Sequence, residues 1–140
     1  MKPVTIIALL GFSLLISMIS APAWAISYPV AVLQGLDKIT GRISKLYVPV
    51  NRDVKFGTLT ITARACDKKP PEETPEKAAF LEIFESSVNG ESKGDLVNVF
   101  NGWMFASSPS ISALEHPVYD VWVIDCSRDV ISQPSGSGSE

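Results

Sequence analysis

Between Thr58 and Ala65 polar and apolar side chains alternate without a break. Leu59, Ile61, Ala63 and Ala65 fall on one face, and Thr58, Thr60, Thr62 and Arg64 on the other. A period of two marks a strand with one face in a core. Apolar-rich runs at 31–36, 42–50, 78–84, 96–105 and 118–126 add further candidate strands. Asp37-Lys38, Gly41, Asn51-Arg52-Asp53, Asn89-Gly90 and the Ser-rich stretch 107–112 supply the turns between them. Pro75 leaves a short helix over the next segment as an alternative to a strand, because proline suits a first helical turn. Past residue 25 no long segment has the 3.6-residue helical period, and no internal repeat occurs. Six to seven short strands predict a mainly β fold, a small antiparallel β-sandwich or barrel.

Strict alternation has consequences at both cysteines. It puts Cys66 on the polar face of its strand, so placing it in a core needs a bulge or a covered second face. In the last strand it groups Trp122, Ile124 and Cys126 on one face. Tyr119, Val121, Val123 and Asp125 take the other.

The ends of the chain read differently. Lys2 precedes an apolar stretch over 4–19 interrupted by Thr5, Ser13 and Ser17, followed by Ser20-Ala21-Pro22 and Ala23-Trp24-Ala25. A basic start, an apolar run and small residues three and one before a cut are the parts of a secretory signal. The run is shorter than the roughly 20 residues of a membrane span. Residues 1–25 are therefore expected to be a signal peptide, 26–131 an exported β domain and 132–140 a flexible Gly/Ser tail. With no cysteine near the cut and no Arg-Arg pair before the apolar run, the expectation is a periplasmic product of the ordinary export route with no stable membrane anchor.

Loss of Lys2 with the leader takes the formal charge from −3 to −4. The charges are interspersed, with no basic stripe for nucleic acid. Cys66 and Cys126 are the two cysteines, and in an exported chain such a pair most often forms one structural disulfide. Closing that loop would stabilise by about 4 kcal/mol on the chain-entropy estimate. The alternative, reactive thiols, lacks a Cys-x-x-Cys motif.

Glu115-His116-Pro117, with Asp120 nearby and the Ser-rich loop before it, forms the most chemical-looking patch. A hydrolase would need a nucleophile on a sharp turn beside an oxyanion hole, and no Gly-x-Ser-x-Gly elbow is present. A histidine whose imidazole bonds backbone in a turn is the simpler reading. One histidine and two cysteines do not make a zinc set, and Glu72-Glu73 lacks calcium-loop spacing. Neither a metal nor any other cofactor is expected. Trp103, Met104 and Phe105 are adjacent and must face both sides of an extended strand. They are either core in a sheet covered on both faces or an aromatic shelf for a partner. The Pro-rich acidic stretch 67–77 reads as a solvated connector or a semi-rigid docking element.

Several longer motifs carry a resemblance: 31–41 (AVLQGLDKITG), 64–66 (RAC), 70–75 (PPEETP), 102–109 (GWMFASSP) and 113–122 (ALEHPVYDVW), closing at Asp125-Cys126. Over 31–126 the chain resembles exported alphaproteobacterial proteins of the domain-of-unknown-function family numbered 2155. The resemblance implies a small envelope protein and assigns no activity to named residues. A non-catalytic periplasmic binding or scaffolding module is the leading expectation, using Trp103, Met104 and Phe105 against an envelope protein or peptidoglycan-like partner. An inhibitor of an envelope hydrolytic enzyme, or a hydrolase using His116, are the alternatives.

Overall fold

The alternating segment found in the sequence is the centre of the larger of two antiparallel sheets. The structure is a computed structural model that describes residues 25–86 and 95–129. The expected signal segment, the Asn89-Gly90 turn and the Gly/Ser tail lie outside the described residues. Eight strands follow in order: β1 (Ile26–Ser27), β2 (Val30–Asp37), β3 (Arg42–Pro49), β4 (Asp53–Phe56), β5 (Leu59–Lys68), β6 (Lys77–Ser86), β7 (Leu96–Phe105) and β8 (Tyr119–Ser127). One sheet runs β1-β5-β6-β7, with β4 also paired to β5, and the other runs β3-β2-β8.

The two sheets form a sandwich. Their inner faces supply Leu59, Ile61, Ala63, Ala79, Leu81, Ile83 and Met104 from the first sheet. Ala31, Leu33, Leu46, Val48, Val121 and Val123 come from the second. Burying each of the larger aliphatic side chains contributes about 1.5–3 kcal/mol. The Cys66–Cys126 disulfide joins β5 to β8, and so ties one sheet to the other.

Bulges set which side chains enter the core. In β5 the register on β6 passes from Ala63↔Leu81 to Ala65↔Phe80, which leaves Arg64 as the extra residue. The inward series then resumes at Cys66, opposite Ala79, and Cys66 is 1% exposed. Of the two ways to bring Cys66 inside, the protein uses the bulge. In β8 the register on β2 passes from Leu33↔Val123 to Val32↔Asp125, which leaves Ile124 unpaired. Cys126 therefore shares the inner face with Val121 and Val123, which corrects the grouping that strict alternation gives.

Two further expectations change, and one alternative closes. The strand count is eight because β1 and β4, two and four residues long, carry too little sequence for periodicity to detect. The segment after Pro75 is the strand that its apolar run predicts and not the helical alternative, because its odd-numbered residues Ala79, Leu81 and Ile83 all pack in the core. The Pro-rich connector shrinks to 69–76, since Asp67 and Lys68 pair with Ala78 and Lys77, and the Lys69 N–H bonds the Glu76 carbonyl.

Candidate functional site

Because odd positions of β6 fill the core, its even positions form the outer face of the larger sheet. Directly paired residues share a face, and the register sets Ala78 opposite Phe105, Phe80 opposite Trp103, Glu82 opposite Asn101 and Phe84 opposite Asn98. The three adjacent apolar residues thus divide. Met104 is 2% exposed in the core, while Trp103 and Phe105 lie outside, with Trp103 38% exposed. The Trp103 ring meets Phe80 edge-to-face, centroids 5.6 Å apart and planes at 83°. That geometry suits two ring quadrupoles and holds the indole against the sheet.

Trp103, Phe105 and Ala78 form the apolar floor of a shallow depression of about 300 Å³. Asp67, Lys68, Lys69 and Glu76, together with Ala25, complete its rim. The rim charges are held in place. The Lys68 ammonium lies 2.7 Å from Asp125 Oδ1 and 4.7 Å from the centre of the Tyr28 ring. Asp125 also accepts the Cys126 N–H at 2.8 Å and faces Lys77 at 3.4 Å. Partial burial pushes the Asp125 carboxyl up, but the Lys68 hydrogen bond, the Cys126 N–H and the two lysine charges outweigh it and hold it below its ordinary value. At Glu76 burial likewise raises the carboxyl. The Ser107 hydroxyl, the Lys77 and Ser107 N–H groups and Lys69 overcome that effect and lower it. Glu76 thereby clamps the start of β6 to Ser107, two residues past the end of β7. The result is a rigid aromatic floor with fixed charges of both signs around it.

His116 sits at the other end of the sandwich. It is 7% exposed, and its Nδ1 accepts the backbone N–H groups of Val118 at 3.2 Å and Tyr119 at 3.1 Å. With Nδ1 an acceptor, Nε2 carries the proton of the neutral ring and donates it to Glu85 Oε1, 3.0 Å away. The ring stacks on Tyr119 at 5.3 Å, and Tyr119 in turn meets Phe56. Both imidazole nitrogens are engaged, so this ring works as a brace that turns the chain into β8. Glu115 is exposed, and Asp120 pairs with Lys38 at 2.9 Å, the same ammonium that donates to the His116 carbonyl at 2.7 Å. Glu115, His116 and Asp120 are therefore close along the chain, but the histidine's own carboxylate partner is Glu85 of β6.

Among the described residues no group of three His, Cys, Asp or Glu side chains is placed to hold a metal. The sequence reading missed Phe80 behind Trp103 and Glu85 at His116, while Lys68 and Glu76 fall in the 67–77 stretch it read as a connector or docking element. Phe80 and Phe84 had a usable signal. Aromatics interleaved with the core series Ala79, Leu81 and Ile83 mean a strand that is apolar on both faces.

These features define a two-sheet sandwich, pinned by one inter-sheet disulfide, with a surface aromatic shelf as its candidate binding site. Residues 31–126 match the family described as uncharacterized protein conserved in bacteria (DUF2155), and the chain belongs to that family. It is also similar to uncharacterized protein RP359 of Rickettsia prowazekii (strain Madrid E), at 29% identity over 91 residues. The matched stretch covers 65% of this chain and 56% of the relative, so the chain spans little more than half of that protein's length. No solved structure matches the chain.

Proposed function

We propose that the protein is a non-catalytic binding or scaffolding module of the cell envelope, exported to the periplasm, that docks a protein or peptidoglycan-like partner on its Trp103 face. The observation that carries this reading is the Trp103 indole, 38% exposed, braced by Phe80 above an apolar depression. An exposed aromatic locked in one orientation offers apolar area at little entropy loss on binding. The ring of opposed charges suits a partner that is itself close to neutral and amphipathic. The commitment of both His116 nitrogens supports a non-catalytic role, and the buried disulfide is compatible with an oxidising compartment. Ala25 contributes to the rim, so removal of a leader ending there would open the depression on one side.

The test is Trp103→Ala in cells and in purified protein. Loss of at least tenfold in affinity for envelope material, with the melting temperature nearly unchanged, is the expected outcome, tenfold being about 1.4 kcal/mol. Unaltered binding by a folded Trp103→Ala protein would refute the reading.

A further inference from the structure

The open edges of the two sheets differ in how they are defended. A free edge exposes unpaired N–H and C=O groups, and proteins blunt it with charge, proline or shortness. Edge strand β3 carries Arg42, Lys45 and Pro49, and edge strand β8 carries Asp120 and Asp125. At one border of the larger sheet stand β1 and β4, two and four residues long, the latter with Asp53 and Lys55. The opposite border is β7, Leu96-Val-Asn-Val-Phe-Asn-Gly-Trp-Met-Phe105, ten residues without a charge or a proline. Among the described residues it pairs with β6 alone, and Leu96, Val97 and Trp103 on it are exposed.

The bulge in β7 gives this edge an internal symmetry. Its register on β6 passes from Ile83↔Phe100 to Phe84↔Asn98, so Val99 is the extra residue. The outer-face residues are consequently Leu96, Asn98, Asn101, Trp103 and Phe105, the partners of Ser86, Phe84, Glu82, Phe80 and Ala78. From Leu96 to Trp103 this face reads apolar, amide, amide, apolar, the same in both directions about a point between Val99 and Phe100. A strand paired antiparallel with its own copy about that point would set Leu96 against Trp103 of the second copy and Asn98 against its Asn101. Because the strand is uncharged, the two-fold axis brings no like charges together, which would otherwise oppose self-pairing.

We propose that β7 is a self-association edge: two copies of this chain pair β7 to β7, antiparallel and two-fold symmetric, with Asn98 of each opposite Asn101 of the other. The pairing joins the two larger sheets into one. It brings the two Phe80–Trp103 shelves side by side on a continuous face, where each Trp103 gains a Leu96 from the second copy. The bulges lie at the axis, and the main-chain ladder runs on either side of them.

This inference does not depend on the envelope partner, and its test avoids the residues lining the depression. Asn98 and Asn101 are exposed, so charges there leave the fold intact. The full chain, purified from the periplasm of an expressing cell, is followed by sedimentation equilibrium over a concentration series. The wild-type protein is expected to dimerise. Asn98→Lys with Asn101→Lys should weaken the dimer at least tenfold, because both 98–101 pairs across the axis are then like-charged. Asn98→Lys with Asn101→Glu should retain it, because every pair is then opposite in charge. Mixing the doubly Lys variant with Asn98→Glu/Asn101→Glu should recover a mixed dimer. A wild-type chain that stays monomeric into the millimolar range would overturn the proposal. So would equal behaviour of the two doubly substituted proteins, since a different register or surface does not distinguish them.

Discussion

Gly57 lies directly against the ring of Tyr119. A Cβ built on Gly57 would overlap the Tyr119 hydroxyl oxygen and ring edge, and the residue has a φ of +59°. Two constraints therefore meet at the tight turn between β4 and β5: a left-handed backbone and a close approach from β8. Gly57→Ala should destabilise the domain by about 2 kcal/mol or more, from strain and overpacking together. Thermal unfolding of the variant checks this, and an unchanged midpoint would show that Tyr119 is free to move away.

Tyr119 is held by His116, and the histidine is predicted to act on stability. His116→Ala leaves the Val118 and Tyr119 N–H groups without their Nδ1 acceptor and removes the imidazole donor to Glu85, which keeps only the Thr58 hydroxyl on that oxygen. Each unmet buried group is worth about 1–3 kcal/mol. A clear drop in melting temperature is expected. A His116→Ala protein as stable as the wild type, yet inactive in cells, would instead favour chemistry at the imidazole.

The bulge in β5 makes a deletion prediction that runs against intuition. Removing Arg64 lets Ala63, Ala65 and Cys66 alternate regularly opposite Leu81, Phe80 and Ala79, with Cys66 still facing the core. Removing Thr60 instead turns part of the strand inside out. The Arg64 deletion should therefore remain folded and disulfide-bonded, losing the exposed ion pair to Glu82 at 2.8 Å and the exposed hydrogen bond to Asn51 Oδ1 at 3.2 Å. The Thr60 deletion should not fold. Thiol titration of the two proteins under denaturing conditions separates the outcomes. Reducing the disulfide in the intact chain should lower stability by about 4 kcal/mol.

Acid should loosen the rim of the depression. Asp125 and Glu76 have folded-state values held below their ordinary ones, so the stability they contribute is present above the ordinary carboxylate range. It is lost as pH falls from about 4 towards the lowered folded values. Asp125→Asn should flatten part of that decline in a series of melts, while leaving the neutral-pH fold intact. A pH profile identical to the wild type would mean that the Lys68 and Lys77 contacts contribute nothing in solution.

Much of the fold was legible because its core strands follow a period of two. Leu59, Ile61 and Ala63 are where the pattern puts them, and the family resemblance over 31–126 agrees with the family match. Parity failed at Cys126, because the extra residue Ile124 changes the face and nothing in the local sequence marks it. At Cys66 parity conflicted with burial, and that conflict pointed to the bulge. The aromatic run 103–105 was ambiguous for a physical reason: adjacent residues in a strand must divide between faces, and only the register with β6 shows that Met104 enters. The partners of the site were out of reach. Phe80 meets Trp103 across strands, and Glu85 reaches His116 from 31 residues away, distances that only tertiary structure closes.

The central claim is that the partner docks on the Trp103 face. The most direct measurement is photo-crosslinking in living cells from two exposed lysine positions, one on the rim of the depression and one on the opposite sheet. A photoreactive residue at Lys69 should yield a discrete crosslinked envelope partner, lost when Trp103→Ala is added, whereas the same residue at Lys45 should yield none. Equal yield from both positions, or a Lys69 crosslink indifferent to Trp103→Ala, would contradict the account.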